Sequence, residues 1–532
     1  MSNPGSFSRK CRILAVALLF LSTLAAAVPA KSPAPVPPDL DAYLARVMKA
    51  FEVPGIGLAI VKDGKVVVAK GYGVRKLGEP TPVNGQTLFG IASNTKAFTA
   101  TALALLVEEG KLEWDAPVIR YLPWFQMWDP FVTRELTVRD LLVHRSGLGL
   151  GAGDLLWWPE STYNRKEIAR RIRFIPPATS FRSAYAYDNV LYLIAGEVIE
   201  AVGGKIWEEF VFERILKKVG MTTSQVRHGA VAEGGNVATP HASIEGVVRP
   251  VRPFESDNTN PAGGICSSAE DMAKWLIVQL NRGLLADGTR LFSEGSYRQL
   301  TTLVTPMPSG EPPAELAAQR MNFRGYALGF EVHDYRGKKV VTHTGGLPGY
   351  LSEVTMIPEL GLGIVVLTNQ ESSAAFNSVT NRILDHYLGA APADWVDAYL
   401  KVIARRQAEY AEAGQKALAT RNASSKPSLP LERYAGTYND GWYGDIEIVS
   451  EGGHLIMRFT KTPSLVGDLE HWQYDTFIVR WRDRELRADA YITFALKPDG
   501  TIDQAKIEAV SPETDFSFDF QDLLLRPVRR KD

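Results

Sequence analysis

The 532-residue chain is poor in cysteine and histidine, and neither residue type forms a cluster. It has two cysteines: Cys11 lies in an N-terminal leader and Cys266 is alone in the remainder, so no internal disulfide is expected. The eight histidines lack the spacing of a zinc site, and we expect neither a metal nor another cofactor. Lys and Arg number 59 against 60 Asp and Glu, without a long basic block. This balance argues against nucleic acid as a partner.

Residues 1–30 have the pattern of a secretory signal peptide. A basic start is followed by an apolar core at residues 13–27 and by small residues suited to cleavage. The core is shorter than the roughly 20 residues of a membrane span. We therefore predict a periplasmic or secreted protein, and the alternative is an uncleaved N-terminal segment that holds it at a membrane. Residues 31–39 form a proline-rich spacer.

The length predicts at least two domains. In residues 40–390, an Asp-Gly hairpin near residue 63 and further strands at residues 326–369 enclose a helix-rich region. This order predicts an α+β domain: an antiparallel β-sheet flanked by helices, with an inserted all-α region. Residues 391–430 are predicted to be a helical connector and linker. In residues 431–532, apolar and polar residues alternate within short segments that are separated by turns. This pattern predicts an all-β barrel or sandwich.

Ser93 and Lys96 form the only Ser-x-x-Lys of the chain, at the start of an Ala- and Leu-rich segment that predicts a buried helix. Residues three apart share one helical face. A serine hydroxyl needs a base to become a nucleophile, and a lysine amine can be that base where burial keeps it unprotonated. Backbone N–H groups at a helix start, that of Ser93 included, favour an oxyanion. Without further motifs, a capped helix start with Lys96 on a solvated face is the better explanation of the pair, because a four-residue pattern is common by chance.

Two later motifs carry polar groups at the ends of predicted elements. Tyr187-x-Asn189 precedes a predicted helix and is the only Tyr-x-Asn of the chain. Tyr187 could be a packed tyrosine or a proton shuttle beside Lys96, and Asn189 could hold substrate or Lys96 by its amide. His343-Thr344-Gly345-Gly346 ends a predicted strand with two glycines, where backbone can approach a ligand closely.

Other residues are given structural roles. His144 and Ser146 lie in a segment predicted to be a helix end capped by Gly147. Cys266 is predicted to be a buried small residue and not a nucleophile. Ser268 is predicted to cap a helix, with Asp271 at its third position. Trp157 and Trp158 are predicted to frame the mouth of a cleft.

The three motifs, in this order, resemble those of the serine β-lactamase and penicillin-binding-protein superfamily: Ser-x-x-Lys, Ser/Tyr-x-Asn and Lys/His-Thr-Gly. The Tyr-x-Asn form is similar to class C β-lactamases and their relatives, the D-aminopeptidases, D-alanyl-D-alanine carboxypeptidases and esterases. The resemblance implies that Ser93, Lys96 and Tyr187 are catalytic, that the N–H groups of Ser93 and Gly346 form the oxyanion hole, and that Asn189 binds substrate. It also implies substrate contacts from His343, Thr344 and Gly345. Whether Lys96 or Tyr187 is the general base stays open.

Two departures from the superfamily pattern bear on the substrate. A lysine that helps to bind a substrate carboxylate usually starts the third motif, but here it is His343, as in D-aminopeptidases and related peptidases. The C-terminal domain resembles the lipocalin-like barrel of some peptidases. Both features favour an acyl-enzyme serine peptidase acting on short peptides, with D-residues, cell-wall peptides and linearised cyclic peptides as candidate substrates. The alternatives are an esterase or a class C-like β-lactamase and, from another class, a non-catalytic penicillin- or peptide-binding protein. Oligomeric state is left open.

Overall fold

The computed structural model describes residues 36–230 and 234–528. The predicted signal peptide, residues 1–30, and the start of the spacer lie outside the described residues, so export of the chain stays a prediction. Within the described ranges, no helix is both long enough and apolar enough to cross a membrane.

The first domain contains one eight-stranded antiparallel sheet. The predicted N-terminal hairpin is confirmed and forms one edge of this sheet, next to the strands that follow residue 323. In sheet order the strands are Lys65–Gly73, Gly55–Lys62, Leu362–Thr368, Tyr350–Ile357, Lys338–Leu347, Glu331–Tyr335, Arg324–Tyr326 and Thr305–Pro306.

Helices cover both faces of this sheet because its central strands are apolar on both sides. In Gly55–Lys62, alternate residues point to opposite faces. Ile56, Leu58 and Ile60 belong to a core shared with the helices Leu40–Ala50, Ser373–Leu388 and Trp395–Thr420. Ala59 and Val61 belong to the core on the other face. The helices of that face and of the inserted region are Lys96–Glu108, Pro130–Glu135, Arg165–Arg171, Val190–Gly203, Trp207–Val211, Lys217–Val219, Asn260–Gly263, Ala269–Leu280 and Glu294–Thr301.

The second domain is an eight-stranded antiparallel barrel that is nearly closed. Its strands in order are Ile502–Ala509, Ala490–Leu496, Thr476–Trp481, Val466–Gln473, His454–Phe459, Gly444–Glu451, Gly436–Asp440 and Arg526–Pro527. Closure comes from Ala505 and Leu525, which exchange backbone hydrogen bonds of 2.8 and 3.0 Å. The predicted fold class, an α+β domain with an antiparallel sheet followed by an all-β barrel or sandwich, is therefore confirmed, and the second domain is a barrel.

Two local predictions were wrong. The segment 136–148 holds only a short 3-10 helix, Arg139–Leu142, and the chain leaves it at His144, whose φ is 55°, before reaching Gly147. The strands predicted at residues 326–369 start with one expected to run unbroken across residues 326–332, but the structure has two strands there, Arg324–Tyr326 and Glu331–Tyr335. A turn separates them because Gly329 has a φ of 79°, which interrupts the extended backbone.

Candidate active site

Ser93 lies in a short 3-10 helix, Ala92–Thr95, which leads directly into the helix Lys96–Glu108. Ala92 has a φ of 47°, a conformation that costs free energy for a residue with a Cβ and is concentrated at functional sites. This turn sets the Ser93 side chain into a cleft while Lys96 starts the buried helix. The Lys96 Nζ donates a hydrogen bond of 3.0 Å to the Ser93 Oγ.

Lys96 is fully buried and has three hydrogen-bond acceptors. Its Nζ also donates to the Asn189 Oδ1 at 2.7 Å and to the Ala262 carbonyl at 3.1 Å. Burial lowers the pKa of Lys96 to about 7, although the nearby Asp154 and Asp188 carboxyl groups favour the charged form. A substantial fraction of the amine is therefore neutral near pH 7, as a general base requires.

Asn189 connects Lys96 to a buried carboxyl group. Its Nδ2 donates to the Asp154 Oδ2 at 2.8 Å, so the two ends of one amide hold the lysine and the acid. Of the two roles open to Asn189 from sequence, the structure shows the contact with Lys96. Asp154 also accepts from the Trp157 Nε1 at 2.9 Å and from the Ser517 Oγ at 2.9 Å. Burial raises the pKa of Asp154 to about 7.

The Tyr187 ring lies against Lys96, with the Nζ 4.8 Å from the ring centroid. Burial raises the pKa of the Tyr187 phenol well above its usual value, and its hydrogen bond with Ser93 opposes that rise. The phenol is therefore protonated at neutral pH and can donate a proton. The ring of His144 lies 4.3 Å from the Tyr187 ring between centroids, and Phe516 approaches it edge-on at 6.0 Å.

His343 is buried and neutral, and both its ring nitrogens contact the protein. Its Nδ1 lies 2.5 Å from the Thr344 carbonyl, which can only accept, so Nδ1 carries the proton. The Nε2 then accepts from the Tyr326 hydroxyl at 2.7 Å. Burial, with the Lys96 charge nearby, lowers the pKa of His343 to about 3. The third motif therefore brings no positive charge to the cleft.

Gly345 lets the strand Lys338–Leu347 approach the Ser93 turn. A Cβ at this position would lie 2.3 Å from the Ile91 carbonyl oxygen, 2.9 Å from the Ser93 nitrogen and 2.6 Å from the Ser352 Oγ. Gly346 follows at the cleft and is paired with Leu351 of the next strand. The backbone of Gly346 and that of Ser93 therefore line the same cleft, as an oxyanion hole requires.

Replacing Gly345 by alanine is expected to destabilise the protein and to slow its reaction together. Two of the three contacts are with backbone atoms, so the strand or the Ser93 turn must shift. Overpacking of this kind costs about 1–3 kcal/mol, and displaced oxyanion donors lower the rate. Urea unfolding and the rate of fluorophosphonate labelling measure the two effects. Gly310→Ala is the control, because a Cβ there meets no atom within 4 Å. A Gly345→Ala variant that matches wild type in both measurements would contradict this view of the turn.

The cleft around Ser93 has a volume of about 290 Å³. Trp157 and Trp158 line it, so the prediction that they frame the cleft is confirmed. Its other lining residues include Ser93, Tyr187, Asn189, His343, Thr344, Gly345 and Gly346, so residues of all three motifs face one cavity.

Several residues of the site were not found from sequence. Asp154 follows glycines at 147, 149, 151 and 153, and this density of glycine before an acid was a signal that could have identified it. Asp188 carries no comparable signal, and His144 is given only a structural role by the sequence. His144 is buried in a cluster of tyrosine rings, and its Nδ1 accepts from the Asp188 N–H at 3.2 Å. Burial lowers its pKa well below the usual value, so the ring is neutral.

The remaining structural assignments made from sequence agree with the structure. Cys266 is buried, and burial raises the pKa of its thiol to about 12, which suppresses the thiolate. Ser268 caps the helix Ala269–Leu280 by accepting from the Asp271 N–H. Among the residues in the described ranges, no three His, Cys, Asp or Glu side chains are grouped so that they could hold a metal ion.

The sequence model of the Beta-lactamase family matches residues 40–388, which is more than half of the chain. The chain belongs to the Beta-lactamase family. Residues 420–527 match a second model, described as a domain of unknown function, DUF3471. Membership makes the protein a serine hydrolase of the β-lactamase fold and confirms the superfamily predicted from the three motifs.

This Beta-lactamase family member is similar to the unguisins hydrolases of two Aspergillus species. It is 28% identical over 455 residues to the unguisins hydrolase ungD of Aspergillus violaceofuscus, covering 80% of this chain and 79% of that protein.

Solved structures share the fold at lower identity. The octameric penicillin-binding protein homologue from Pyrococcus abyssi superposes with a TM-score of 0.58 at 23% identity, covering 92% of this chain and 99% of that chain. The D-amino acid amidase from Ochrobactrum anthropi SV3 superposes with a TM-score of 0.54 at 23% identity, covering 66% of this chain and 98% of that chain.

Proposed function

We propose that this serine hydrolase is a peptidase that cleaves short peptides through an acyl-enzyme on Ser93, with D-residues among those accepted, in the periplasm or outside the cell. The observation that carries the chemistry is the buried Lys96 amine, 3.0 Å from the Ser93 Oγ and with its pKa lowered to about 7. A serine and a base at hydrogen-bond distance are what nucleophilic catalysis requires.

In the first step the Ser93 Oγ attacks the carbonyl carbon of the scissile amide and passes its proton to Lys96. The oxyanion is held by the N–H groups of Ser93 and Gly346, each worth about 2.7–4 kcal/mol. Tyr187, protonated at neutral pH, donates its proton to the leaving nitrogen, and the C–N bond breaks. The Lys96 ammonium then restores the proton of Tyr187, so both groups return to their starting states.

In the second step water attacks the acyl-enzyme. Lys96, neutral again, accepts the proton of the water, directly or through Tyr187, and the new oxyanion forms in the same place. The Ser93 oxygen leaves as the hydroxyl after it takes this proton back. Asn189 and Asp154 keep the amine oriented toward Ser93 through both steps.

The neutral His343 distinguishes this site from the sites of related enzymes in which a lysine at this position binds a substrate carboxylate. With a pKa of about 3, its ring offers no charge to a β-lactam or D-alanyl-D-alanine carboxylate at neutral pH. Amide cleavage is also in keeping with the names of the relatives, an unguisins hydrolase and a D-amino acid amidase. These features support a peptidase over a β-lactamase.

Assays of purified protein on D-alanyl-p-nitroanilide, p-nitrophenyl acetate and nitrocefin test this proposal. We expect turnover of the anilide, weaker turnover of the ester and slow or no turnover of nitrocefin. Nitrocefin as the best substrate would show a β-lactamase, and turnover of the ester alone would show an esterase. A stable adduct on Ser93 without turnover of any substrate would show a binding protein.

A further inference from the structure

A second cavity lies on the face of the sheet opposite the catalytic cleft. The strand Lys338–Leu347 separates the two, since its consecutive residues Thr342 and His343 line the cavity and the cleft, respectively. The cavity has a volume of about 510 Å³, within the usual range for ligand pockets, and among the described residues it shares no lining residue with the cleft. Residues of the helices Ser373–Leu388 and Trp395–Thr420 form its outer walls.

The floor of this cavity holds a buried carboxyl group without a cationic partner. Glu353, on the strand Tyr350–Ile357, is 8% exposed and lines the cavity. The hydroxyl groups of Thr380 and Thr355 donate to its two oxygens, the second at 3.4 Å. Within residues 36–230 and 234–528, no lysine, arginine or histidine forms an ion pair with it. Burial of this uncompensated charge raises the pKa of Glu353 to about 7, and an ammonium group bound beside it would stabilise the carboxylate.

The rim of the cavity carries the opposite charge. Arg406 lies one turn after Val402 on the helix Trp395–Thr420, and both residues line the cavity. Arg406 is exposed and forms no ion pair with any described residue, whereas the adjacent Arg405 is paired with Glu315 at 2.7 Å. A free guanidinium is a strong partner for a carboxylate. The cavity therefore offers an anion at its floor and a cation at its rim.

The walls between these two charges are apolar, with a few unused hydrogen-bonding groups. The apolar lining residues include Leu316, Val340, Leu384, Val402 and Ile403. The buried Nδ1 of His333 has no hydrogen-bond partner among the described residues. The Tyr399 hydroxyl accepts from two side-chain amides at 2.6 and 3.3 Å but donates its own proton to no described residue. Glu371, the other acid at the cavity, is already bound by the Arg487 guanidinium at 2.6 and 2.9 Å.

We propose that this cavity is a second, non-catalytic site for a zwitterionic dipeptide or tripeptide with apolar side chains, which places its ammonium group at Glu353 and its carboxylate at Arg406. A free amino acid carries both charges on one Cα, whereas Glu353 is buried and Arg406 is exposed. Two or three residues, at about 3.3–3.6 Å of extended chain each, join groups that are separated in this way. The inference goes beyond the proposed function, because none of these residues takes part in the acyl-enzyme chemistry.

Calorimetry of L-leucyl-L-leucine with full-length Ser93→Ala, which leaves the peptide intact, tests this site. Binding at the cavity should weaken by about tenfold to a hundredfold on N-acetylation of the peptide or on Glu353→Gln, the range of one charge-assisted hydrogen bond. In Glu353→Gln, acetylation should then cost little more, because both changes remove the same interaction.

The other end of the peptide is tested in the same way. Amidation of its carboxylate, or Arg406→Gln, should weaken binding by about twofold to fivefold, less than at Glu353 because this pair is exposed to solvent. Arg405→Gln is the matched control, because this exposed arginine of the same helix does not line the cavity. It should bind all three forms of the peptide as its parent does.

Binding that neither Glu353→Gln nor Arg406→Gln changes would overturn the inference, since the peptide would then bind in the catalytic cleft alone. Equal binding of the free, acetylated and amidated peptides, or no binding at millimolar peptide, would overturn it as well. If Glu353→Gln does not fold, Arg406→Gln and the three peptides decide the question. The measurement needs no turnover, so a wild-type protein that hydrolyses no peptide would contradict the proposed function and leave this inference to be decided by binding.

Discussion

Ser93→Ala is expected to lower kcat by about 10⁴- to 10⁶-fold on any substrate that wild type turns over. The loss is large because the acyl-enzyme forms on one oxygen, the Ser93 Oγ, which lies 3.0 Å from the Lys96 Nζ. The residual rate should come from binding and from the oxyanion donors, which the substitution leaves in place. Steady-state kinetics and the thermal unfolding temperature are the measurements.

Ser180→Ala is the control for this variant, because Ser180 is an exposed serine of the same domain. It should match wild type in both activity and unfolding temperature. A Ser93→Ala protein that keeps a tenth or more of wild-type kcat would show that another group is the nucleophile. A similar loss in Ser180→Ala would point to damage that is not specific to the site.

Lys96→Met is expected to lower kcat/KM by about 10²- to 10⁴-fold, the range of a lost general base. Methionine is unbranched and of similar length, so it fills the buried site without an amine. The Asn189 Oδ1 and the Ala262 carbonyl lose a donor, which adds a stability cost of about 1–3 kcal/mol. Lys111→Met, at a lysine side chain that is 54% exposed, should leave the activity unchanged.

The pH dependence of kcat/KM distinguishes the loss of a base in Lys96→Met from a loss of activity caused by damage to the structure. With the Lys96 pKa lowered to about 7, the amine becomes a base as pH rises through that value. Wild-type kcat/KM should therefore rise about tenfold per pH unit below pH 7 and level off above it. In Lys96→Met this rise of kcat/KM below pH 7 should be absent. If the variant keeps the rise, the titrating group is another one, with the buried Asp154 and Asp188 as the first candidates.

The fold and the three motifs could be predicted because their signals are local. The Asp-Gly turn between the strands Gly55–Lys62 and Lys65–Gly73 and the alternation along Lys338–Leu347 are encoded within a few residues of each element. The spacing of Ser93 and Lys96 likewise follows from the start of one helix. From its own motif Tyr187 could be a packed tyrosine or lie beside Lys96, and the resemblance implies the second. In the structure its ring centroid lies 4.8 Å from the Lys96 Nζ.

The rest of the site depends on contacts between distant parts of the chain. Ser517 donates a hydrogen bond to Asp154, which lies 363 residues earlier in the chain, and no periodicity in either segment predicts that bond. The position of the barrel domain relative to the cleft therefore could not be derived from sequence, whereas in the structure its residues 515–517 line the cleft. The prediction that His144 lies at a capped helix end fails for a related reason: its left-handed backbone and its burial among tyrosine rings are set by tertiary packing.

Peptide mapping after covalent labelling shows whether the Ser93 oxygen becomes acylated. Wild-type protein treated with a fluorophosphonate and digested with trypsin should carry one adduct, on the peptide of residues 77–96, whose only serine is Ser93. Fragmentation should place the added mass on Ser93, and the Lys96→Met variant should label far more slowly. An adduct on a different residue, or an unmodified 77–96 peptide in fully inactivated protein, would contradict Ser93 as the nucleophile.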